Sequence, residues 1–391
     1  MDRKCAIKKY IIGNQIGKGA FGHVYSAKFN PEYLEFEDLE EPEILTSLQF
    51  SKTTDNVGLV ETSDSPENKE TNNSPKNKET NDSPTNILLP GPKVEQNIDY
   101  DKKMAIKITK NEPRFIRAAL KEIAILEELN INNRHNAPII NLLDSYLEDE
   151  IPYLVFEKMD INLYRFYRDN HISYPTSMSI FYQIALALEY IHGRNIIHMD
   201  LKPENIMLDY KCTTLKIIDF GSASRTHTKH KYFYVQSRYY RAPEVVFNLE
   251  ISPAIDVWSL GCIIFEILFK KPLFPARESN YELIYLFSIS LGVPLEHAAG
   301  MDRYFFSPIF KKQYIWNIKM QKYELKHKQV NDMPIDKFGL EKRIRRKLQT
   351  EYPNINTFKL LQVLLKILTY NYEQRLHASE ILEYGYLGNN L

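Results

Sequence analysis

The chain has 391 residues, of which 43% are hydrophobic and 12% aromatic, so it can bury a sizeable core and form two lobes or domains. Its 50 Lys and Arg residues balance 50 Asp and Glu residues, which gives no reason to expect a nucleic-acid partner or a membrane surface. Cys5, Cys212 and Cys262 are too widely spaced for a disulfide framework or a zinc site, and the N-terminus lacks an apolar signal core, so we expect an intracellular protein.

The first predicted elements are two antiparallel strands within residues 10–29, joined by a glycine-rich turn. Such a turn is a weak signal alone, because it also occurs in dinucleotide-binding folds and in ordinary hairpins. A dinucleotide-binding fold needs a helix after the last glycine, whereas residues 24–27 have the pattern of a second strand. Glycines in a strand–turn–strand let backbone N–H groups approach phosphate oxygens, and a plain structural hairpin is the alternative.

Residues 30–102 have a different composition. Ser-Pro recurs at Ser65, Ser74 and Ser83, separated by polar residues that could not form a packed core. We therefore predict a disordered insertion within the first lobe, and we hypothesise that a proline-directed kinase phosphorylates these serines.

A lysine and a glutamate are predicted to pair between the next strand and helix. Lys107 lies within the apolar strand that begins at Met104, where a charge needs a partner. Pro113 opens a helix in which Glu122 falls on the apolar side. That side consists of Phe115, Ala119, Ile123 and Leu126. The alternative is a solvated helix edge that carries Lys121 and Glu122 by chance.

The most informative segment is His198-Met199-Asp200-Leu201-Lys202-Pro203-Glu204-Asn205, which a short strand separates from Asp219-Phe220-Gly221. Transfer of a γ-phosphoryl group to a hydroxyl needs a carboxylate that orients the hydroxyl and accepts its proton, and Asp200 is the candidate. It also needs oxygen ligands that hold Mg²⁺ against the phosphates, and Asn205 and Asp219 are the candidates. The two motifs together predict a phosphoryl-transfer site.

These motifs resemble those of the eukaryotic protein kinases. The resemblance implies an α+β fold with two lobes, a small β-rich N-lobe with one main helix and a large, mainly helical C-lobe. We expect a kinase domain over residues 10–387, divided into an N-lobe at about 10–158 and a C-lobe at about 159–387. It also implies ATP and Mg²⁺ as cofactors, with the Lys107–Glu122 pair against the α- and β-phosphates.

The same resemblance implies a nucleotide site between the lobes. Residues 153–159 should form a buried strand that runs out into a linker at the adenine edge, with Phe156 at the back of the pocket. The residues expected to contact the nucleotide are Ile16, Gly17, Lys18, Gly19, Ala20, Phe21, Gly22, His23, Val24, Ala105, Lys107, Glu122, Phe156, Glu157, Met159 and Met207. Of these, Ile16, Val24, Ala105 and Met207 are expected above and below the purine.

The catalytic loop, residues 198–205, differs from the family signature at Met199, which stands where the motif has arginine. That arginine reaches a phosphate on the activation segment, so we expect no switching by phosphate docking at this residue. Lys202 resembles the serine/threonine kinase pattern and would neutralise the γ-phosphoryl charge during transfer. His198 is expected to be structural, packed beneath Phe220, without a catalytic role.

The activation segment, residues 219–244, narrows the resemblance. Its Tyr232-Phe233-Tyr234 and Gln236-Ser237-Arg238-Tyr239-Tyr240-Arg241 runs are similar to those of the dual-specificity tyrosine-regulated kinases, with their Yak-type and homeodomain-interacting branches, in the CMGC group. The resemblance implies autophosphorylation of Tyr234, with Arg238 and Arg241 as partners of the phosphate, and Ser237 close to Asp200. The alternative is that Tyr234 is a packed aromatic residue.

Three features of the remaining chain agree with this resemblance. Asp256 is expected to brace the catalytic-loop backbone, and Arg375 to pair with Glu244. Residues 291–352 resemble the insert of the CMGC group.

The basic run at residues 342–347 inside this region is either a solvated helix face or a nuclear address or docking patch. The apolar run at residues 260–269 predicts a buried helix, although Glu266 interrupts it.

The sequence thus predicts an ATP-dependent protein kinase for serine and threonine, with dual specificity through Tyr234. One alternative is a catalytically silent pseudokinase scaffold that binds nucleotide. A second is an interaction protein whose insertion is the functional part. We expect protein substrates with a proline preference, a monomer, no nucleic-acid or membrane partner, and a location in the cytoplasm, the nucleus or both.

Overall fold

The computed structural model describes residues 9–19, 21–31, 33, 103–131, 133, 136–211, 213–226, 235–294, 302–320, 322–326 and 339–385. Ala20, Tyr234, the three Ser-Pro serines and most of the predicted insertion at 30–102 lie outside these residues. One compact unit consists of Tyr10–Phe29 and Asp101–Leu391, and it contains every element described below. In the other unit, Met1–Lys9 with Asn30–Tyr100, the backbone N–H of Asn30 donates to the carbonyl of Lys9 at 3.0 Å.

A five-stranded antiparallel sheet begins the first lobe. The strands are β1 (Tyr10–Lys18), β2 (Gly22–Phe29), β3 (Met104–Thr109), β4 (Leu142–Glu148) and β5 (Ile151–Glu157), in the order β1-β2-β3-β5-β4. The predicted strand–turn–strand is therefore present. Gly22 is required at the start of β2, because a Cβ atom there would lie 2.2 Å from the carbonyl oxygen of Ile108.

The main helix of this lobe is α1 (Pro113–Ile131), which packs on β4 and β5. It begins at the predicted proline, whose missing N–H costs nothing in a first helical turn. Its buried face includes Glu122, of which 1% is exposed, whereas Lys121 is exposed. This burial excludes the alternative of a solvated helix edge for Glu122.

The second lobe is mainly helical. Its helices are α2 (Leu163–Asp169), α3 (Tyr174–His192), α4 (Pro243–Val246), α5 (Ala254–Phe269), α6 (Asn280–Leu291), α7 (Asp302–Phe306), α8 (Pro308–Gln313), α9 (Leu340–Glu351), α10 (Phe358–Ile367) and α11 (Ala378–Glu383). Short strands follow the linker and flank the catalytic loop: β6 (Ile161–Asn162), β7 (Ile196–Ile197), β8 (Ile206–Leu208), β9 (Leu215–Ile217) and β10 (Ser224–Arg225). A hairpin of β11 (Tyr314–Asn317) and β12 (Lys322–Leu325) follows α8. The predicted α+β class, with a β-rich lobe before a helical one, is confirmed.

Helix α5 forms the centre of the second lobe, and every one of its residues is buried. The expectation of a buried helix at residues 260–269 is confirmed. Gly261 allows close packing, because a Cβ atom there would lie 2.7 Å from Ile367 Cγ2 on α10. Within the described ranges, no helix combines the length and apolar character needed to span a membrane.

The basic run at residues 342–347 lies on α9. Arg343 lies over the ring of Phe265 at 5.5 Å, and Lys347 over the ring of Phe269 at 5.1 Å. Arg345 pairs with Glu341 at 2.6 Å on the exposed side. The run is therefore only partly a solvated face, because aromatic rings of α5 cover two of its cations. A nuclear address or docking role stays a prediction.

Candidate active site

A cavity of about 800 Å³ lies between the sheet and the catalytic loop. Its walls bring together nearly all the side chains predicted for the nucleotide and the metal. They are Ile16, Gly17, Lys18, Gly19, Phe21, Gly22, Val24, Ala105, Lys107, Glu122, Phe156, Glu157, Met159, Asp200, Lys202, Asn205, Met207 and Asp219. Ala20 lies outside the described residues. His23 is not among the walls, because successive side chains of a strand face opposite ways and Gly22 and Val24 lie on the inner side. Its contact with the nucleotide stays a prediction.

An ion-paired triad lies in the inner part of the cavity. Lys107 Nζ donates to Glu122 Oε2 at 2.7 Å and to Asp219 Oδ1 at 2.9 Å. Burial acts to lower the pKa of Lys107, but the two carboxylates outweigh it and raise the pKa above 10.5. Burial likewise acts to raise the pKa of Asp219, and Lys107 outweighs it, so the net pKa lies below 3.8. The predicted contact between Lys107 and Glu122 is present, and Asp219 is an ionised oxygen donor beside it.

Several donors hold the Asp200 carboxylate on both oxygens. Ser237 donates to Oδ1 through its hydroxyl at 2.8 Å and through its backbone N–H at 3.0 Å. Lys202 Nζ donates to Oδ2, and Asn205 Nδ2 contacts the same oxygen at 3.3 Å. Lys202 Nζ also lies 3.3 Å from the hydroxyl of Ser237. The carboxylate is thus held in one orientation beside Lys202 and Ser237.

The metal candidates fit a hard cation. Asn205 uses its amide nitrogen on the backbone carbonyl of Asp200 at 2.9 Å, so its amide oxygen is the atom suited to a cation. Asp219 contributes an ionised carboxylate. In the part of the chain that the structure describes, no three His, Cys, Asp or Glu side chains cluster as a complete metal site. Mg²⁺ commonly takes one or two carboxylates and completes its octahedron with waters and phosphates, so this donor set suits it.

Asp256 on α5 braces the catalytic loop. Its carboxylate is fully buried and accepts the backbone N–H groups of His198 at 2.8 Å and of Met199 at 3.0 Å. Met199 has φ +64°, a conformation that costs energy in a residue other than glycine. The two backbone hydrogen bonds that Asp256 accepts stabilise that conformation. The His198 and Phe220 rings pack edge to face with centroids 5.0 Å apart, so the structural position expected for His198 is present.

Gln236 belongs to the motif run of the activation segment, but the sequence predicted no contacts for its side chain. It has φ +62°, and its backbone N–H donates to the carbonyl of Met199 at 3.0 Å. Its buried side chain donates to the Ser259 hydroxyl and accepts from the Ala242 N–H, both at 2.9 Å. Its carbonyl accepts from Arg241 at 2.7 Å. The turn that carries Ser237 to Asp200 is therefore anchored to the catalytic loop and to α5 at once.

Arg238 and Arg241, the two arginines predicted to bind a phosphate on Tyr234, each contact other groups in the structure. Arg241 is 1% exposed and donates to the carbonyls of Val235 and Gln236 and to Asn280. Arg238 donates to the carbonyl of Arg277. Tyr234 lies outside the described residues. Their regulatory role stays a prediction.

Two buried acidic residues anchor the segment to the second lobe. Glu244 accepts from Arg375 at 2.6 and 3.1 Å, with both side chains fully buried, so the predicted pair is present. Glu266 on α5 accepts from Tyr240 at 2.8 Å and from Tyr167 on α2. The sequence showed Glu266 only as an interruption of an apolar run. That interruption was the one signal for a buried polar contact.

Comparison with known proteins defines the family. The model of the protein kinase domain matches residues 93–387. The probable dual specificity protein kinase YAK1 homolog of Encephalitozoon cuniculi (strain GB-M1) is 37% identical over 210 residues, which are 52% of this chain and 51% of that protein. The chain belongs to the protein kinase domain family, and the two-lobed kinase fold expected from the sequence is confirmed.

Two further relatives agree with the CMGC resemblance. Homeodomain-interacting protein kinase 2 of Mesocricetus auratus is 37% identical over 227 residues, 55% of this chain and 19% of that protein. Dual specificity tyrosine-phosphorylation-regulated kinase 2 of Drosophila melanogaster is 38% identical over 231 residues, 56% of this chain and 31% of that protein. The resemblance to the Yak-type, homeodomain-interacting and tyrosine-regulated branches is confirmed. The matches span between about a fifth and half of the length of these relatives.

Proposed function

We propose that this chain is an active protein kinase that uses ATP and Mg²⁺ and phosphorylates serine or threonine of protein substrates. The observation that carries the proposal is the convergence of Lys107, Asp200, Asn205 and Asp219 on one cavity. Lys107, held by Glu122, would bind the α- and β-phosphates. Apolar residues of the sheet and Met207 would enclose the purine.

The reacting end of the cavity supports transfer to a hydroxyl. Asp200 would orient the substrate hydroxyl and take its proton as the oxygen bonds to the γ-phosphorus and ADP leaves. Lys202, hydrogen-bonded to Asp200, would balance the charge that develops on the transferred group. Asn205 and Asp219 would hold Mg²⁺, which neutralises phosphate charge when bound.

Incubation with labelled ATP and a basic protein distinguishes this proposal from a silent pseudokinase scaffold. We expect transfer by the wild-type chain and a loss of at least about a hundredfold in Asp200→Asn, which keeps the shape of the side chain without its charge. Nucleotide affinity should change little. Equal incorporation by both proteins would contradict the proposal. The pseudokinase stays an alternative without a specific observation in its favour, since the candidate residues Lys107, Asp200, Asn205 and Asp219 all line the cavity.

We expect a preference for proline directly after the phosphorylated residue, and the reason is the backbone carbonyl of Gln236. Its carbonyl lies next to Ser237, which contacts Asp200, and Arg241 occupies that carbonyl. The backbone N–H of a substrate residue at this position therefore finds no acceptor and is left without a hydrogen bond. Proline has no backbone N–H, so it leaves no donor unsatisfied there. Peptides with Ser-Pro, Ser-Ala and Ser-(N-methyl)Ala test this. We expect the first and third to be phosphorylated faster than the second, and equal rates would exclude the preference.

Autophosphorylation of Tyr234 is a further part of the proposal. It is supported by the Tyr-x-Tyr pair and by relatives whose names contain "dual specificity" and "tyrosine-phosphorylation-regulated". Mass spectrometry of chain made in bacteria should find phosphate on Tyr234 in the wild type and none in Asp200→Asn. The monomeric state and the cytoplasmic or nuclear location are proposals as well, which light scattering and imaging of the tagged chain would check.

A further inference from the structure

The mouth of the active-site cavity carries a cation that the phosphoryl-transfer site does not use. Arg165, on α2, lines the cavity together with Asp200 and Lys202, and its side chain is exposed. Among the described residues, no carboxylate lies within ion-pair distance of its guanidinium group and no aromatic ring lies beneath it. Its charge is therefore available to a molecule that enters the cavity.

The fold fixes the position of Arg165. Its backbone N–H donates at 2.9 Å to the side chain of Asn162, which caps the helix. The opposite side of α2 is anchored by Tyr167, which donates to the buried Glu266. The backbone of Arg165 is therefore held by an anchored helix. Binding of a ligand would have to order only the Arg165 side chain.

Helix stability does not explain an arginine at this point. Arg165 lies in the first turn of α2, where the helix dipole favours acidic residues and disfavours cations. Arg168, one turn later, has an ordinary structural setting: it pairs with Asp169 at 3.0 Å and lies over the ring of Tyr164. The two arginines thus share a helix, and only Arg165 lines the cavity.

Two molecules would enter this cavity, ATP and the protein substrate. The phosphates of ATP have cations further inside: Lys107, with 11% of its side chain exposed, and Lys202, with 23%. Arg165 lies at the exposed rim, where the residues flanking the substrate hydroxyl must pass. Glu204 lines the same rim and is exposed too, so it would meet a different residue of the substrate.

We propose that Arg165 selects protein substrates that carry a carboxylate side chain within a few residues of the phosphorylated hydroxyl. This inference rests on the proposed kinase function and adds a substrate class to it. An exposed pair of this kind changes turnover modestly, so we expect about a twofold to fivefold preference for an acidic over a neutral residue at the position that meets Arg165.

The test is a peptide set with one serine acceptor and with Asp, Asn or Arg at each of the four positions before and after it. The wild-type chain should prefer Asp at one position. Arg165→Gln should lose that preference, and Arg165→Glu should prefer Arg there, with the KM for ATP unchanged. Arg168→Glu, on the same helix outside the cavity, is the matched control and should keep the wild-type preference. Thermal unfolding of each variant checks that it is folded.

The outcomes separate the two proposals. If the wild type phosphorylates the set without preferring Asp anywhere, or if Arg165→Gln and Arg165→Glu keep the preference, the inference on Arg165 is wrong and the kinase function stands. A rise in the KM for ATP without any change in peptide preference would assign Arg165 to the nucleotide and overturn the inference. Failure of the wild type to phosphorylate any peptide or a basic protein would overturn the proposed function, and the inference with it.

Discussion

Ser237 is the residue whose contribution to the active site is most open to a simple test. It reaches Oδ1 of Asp200 through both its hydroxyl, at 2.8 Å, and its backbone N–H, at 3.0 Å. Only the hydroxyl can be removed by substitution. A hydrogen bond to an ionised acceptor contributes about 1.5–3 kcal/mol, which corresponds to at least about tenfold in rate if it orients the carboxylate during transfer.

We therefore predict that Ser237→Ala lowers kcat about tenfold with little change in the KM for ATP. The backbone N–H bond to Asp200 remains, so the loss should be smaller than in Asp200→Asn. Ser237→Thr is the matched control, because it keeps the hydroxyl and should stay within about threefold of the wild type. Steady-state kinetics with a peptide substrate measure the effect, and equal kcat values for the Ala and Thr variants would show that the hydroxyl has no such role.

Single residues also show what a sequence can predict about this site. The Lys107–Glu122 contact followed from the cost of a charge in an apolar strand and of an acid on an apolar helix side, since each implies a partner. The roles of Gln236 could not be predicted in this way. They depend on a φ of +62° and on contacts with Ser259 and Ala242, and no local pattern in the sequence encodes either.

At the scale of elements, the Glu244–Arg375 pair joins α4 to the segment before α11. Both side chains are fully buried, and Arg375 also donates to the carbonyl of Ala254 at 2.8 Å. Removal of one partner of a buried pair leaves an uncompensated charge, which costs about 3–5 kcal/mol. An exposed pair such as Arg345 with Glu341 contributes about 0–1 kcal/mol.

We predict that Arg375→Ala lowers the free energy of unfolding by about 3–5 kcal/mol, whereas Arg345→Ala changes it by less than about 1 kcal/mol. The double variant Arg375→Met with Glu244→Gln should be more stable than Arg375→Ala, because it leaves no buried charge. Urea denaturation gives all of these values. Similar losses in Arg375→Ala and Arg345→Ala would mean that burial does not govern the contribution of this pair.

Glu266 joins three elements, α5, α2 and the short 3-10 turn Arg238–Tyr240. Burial raises its pKa above the ordinary 4.5, and the hydroxyls of Tyr167 and Tyr240 offset only part of that rise. A raised pKa means that the folded chain binds this proton more tightly than the unfolded chain. Protonated Glu266 therefore adds stability below pH 4.5, and that stability is lost as the pH rises through the folded pKa.

We predict that the stability of the wild type relative to Glu266→Gln falls as the pH rises from 4.5 toward neutrality, because glutamine does not titrate. The measurement is the difference between the two free energies of unfolding in urea at several pH values, in which the titrations of other groups cancel. A difference independent of pH across this range would show that Glu266 has the same pKa in the folded and unfolded chains.

At the scale of the whole molecule, the register of the sheet indicates how long the connection between β2 and β3 must be. Ala27 of β2 pairs with Met104 of β3, so the two strand ends that the insertion connects are neighbours in the sheet. Neighbouring antiparallel strands can be joined by a turn of a few residues. The fold of the first lobe therefore requires far fewer residues than the chain places between these strands.

We predict that deletion of residues 36–96 leaves kcat and the KM for ATP within about twofold of the wild type, since a shorter loop costs little free energy to close. Kinetics on the purified deletion variant measure this. A loss of transfer in the folded variant would assign the insertion a catalytic role, and a change in protein partners alone would favour an interaction role.

The order of elements and the α+β class could be predicted from the sequence because strand and helix periodicities are local and strong, as in β3 and α1. Contacts between distant elements could be predicted only where the family resemblance implied them, as for the contact of Asp256 with the catalytic-loop backbone. The contact of Glu266 with Tyr167 and Tyr240 joins residues 99 and 26 positions apart. Neither spacing leaves a periodic signal, so this part required the structure.

The position of Asp256 also predicts how enzymatic turnover is lost when the protein unfolds. One carboxylate on the central helix of the second lobe holds the backbone of His198 and Met199, next to Asp200. A partly denatured state that had lost this helix would lose the geometry of the base at the same moment. Enzymatic turnover and the helical circular-dichroism signal should therefore decline together over a urea gradient, which makes catalysis a sensitive probe of whether the second lobe is intact.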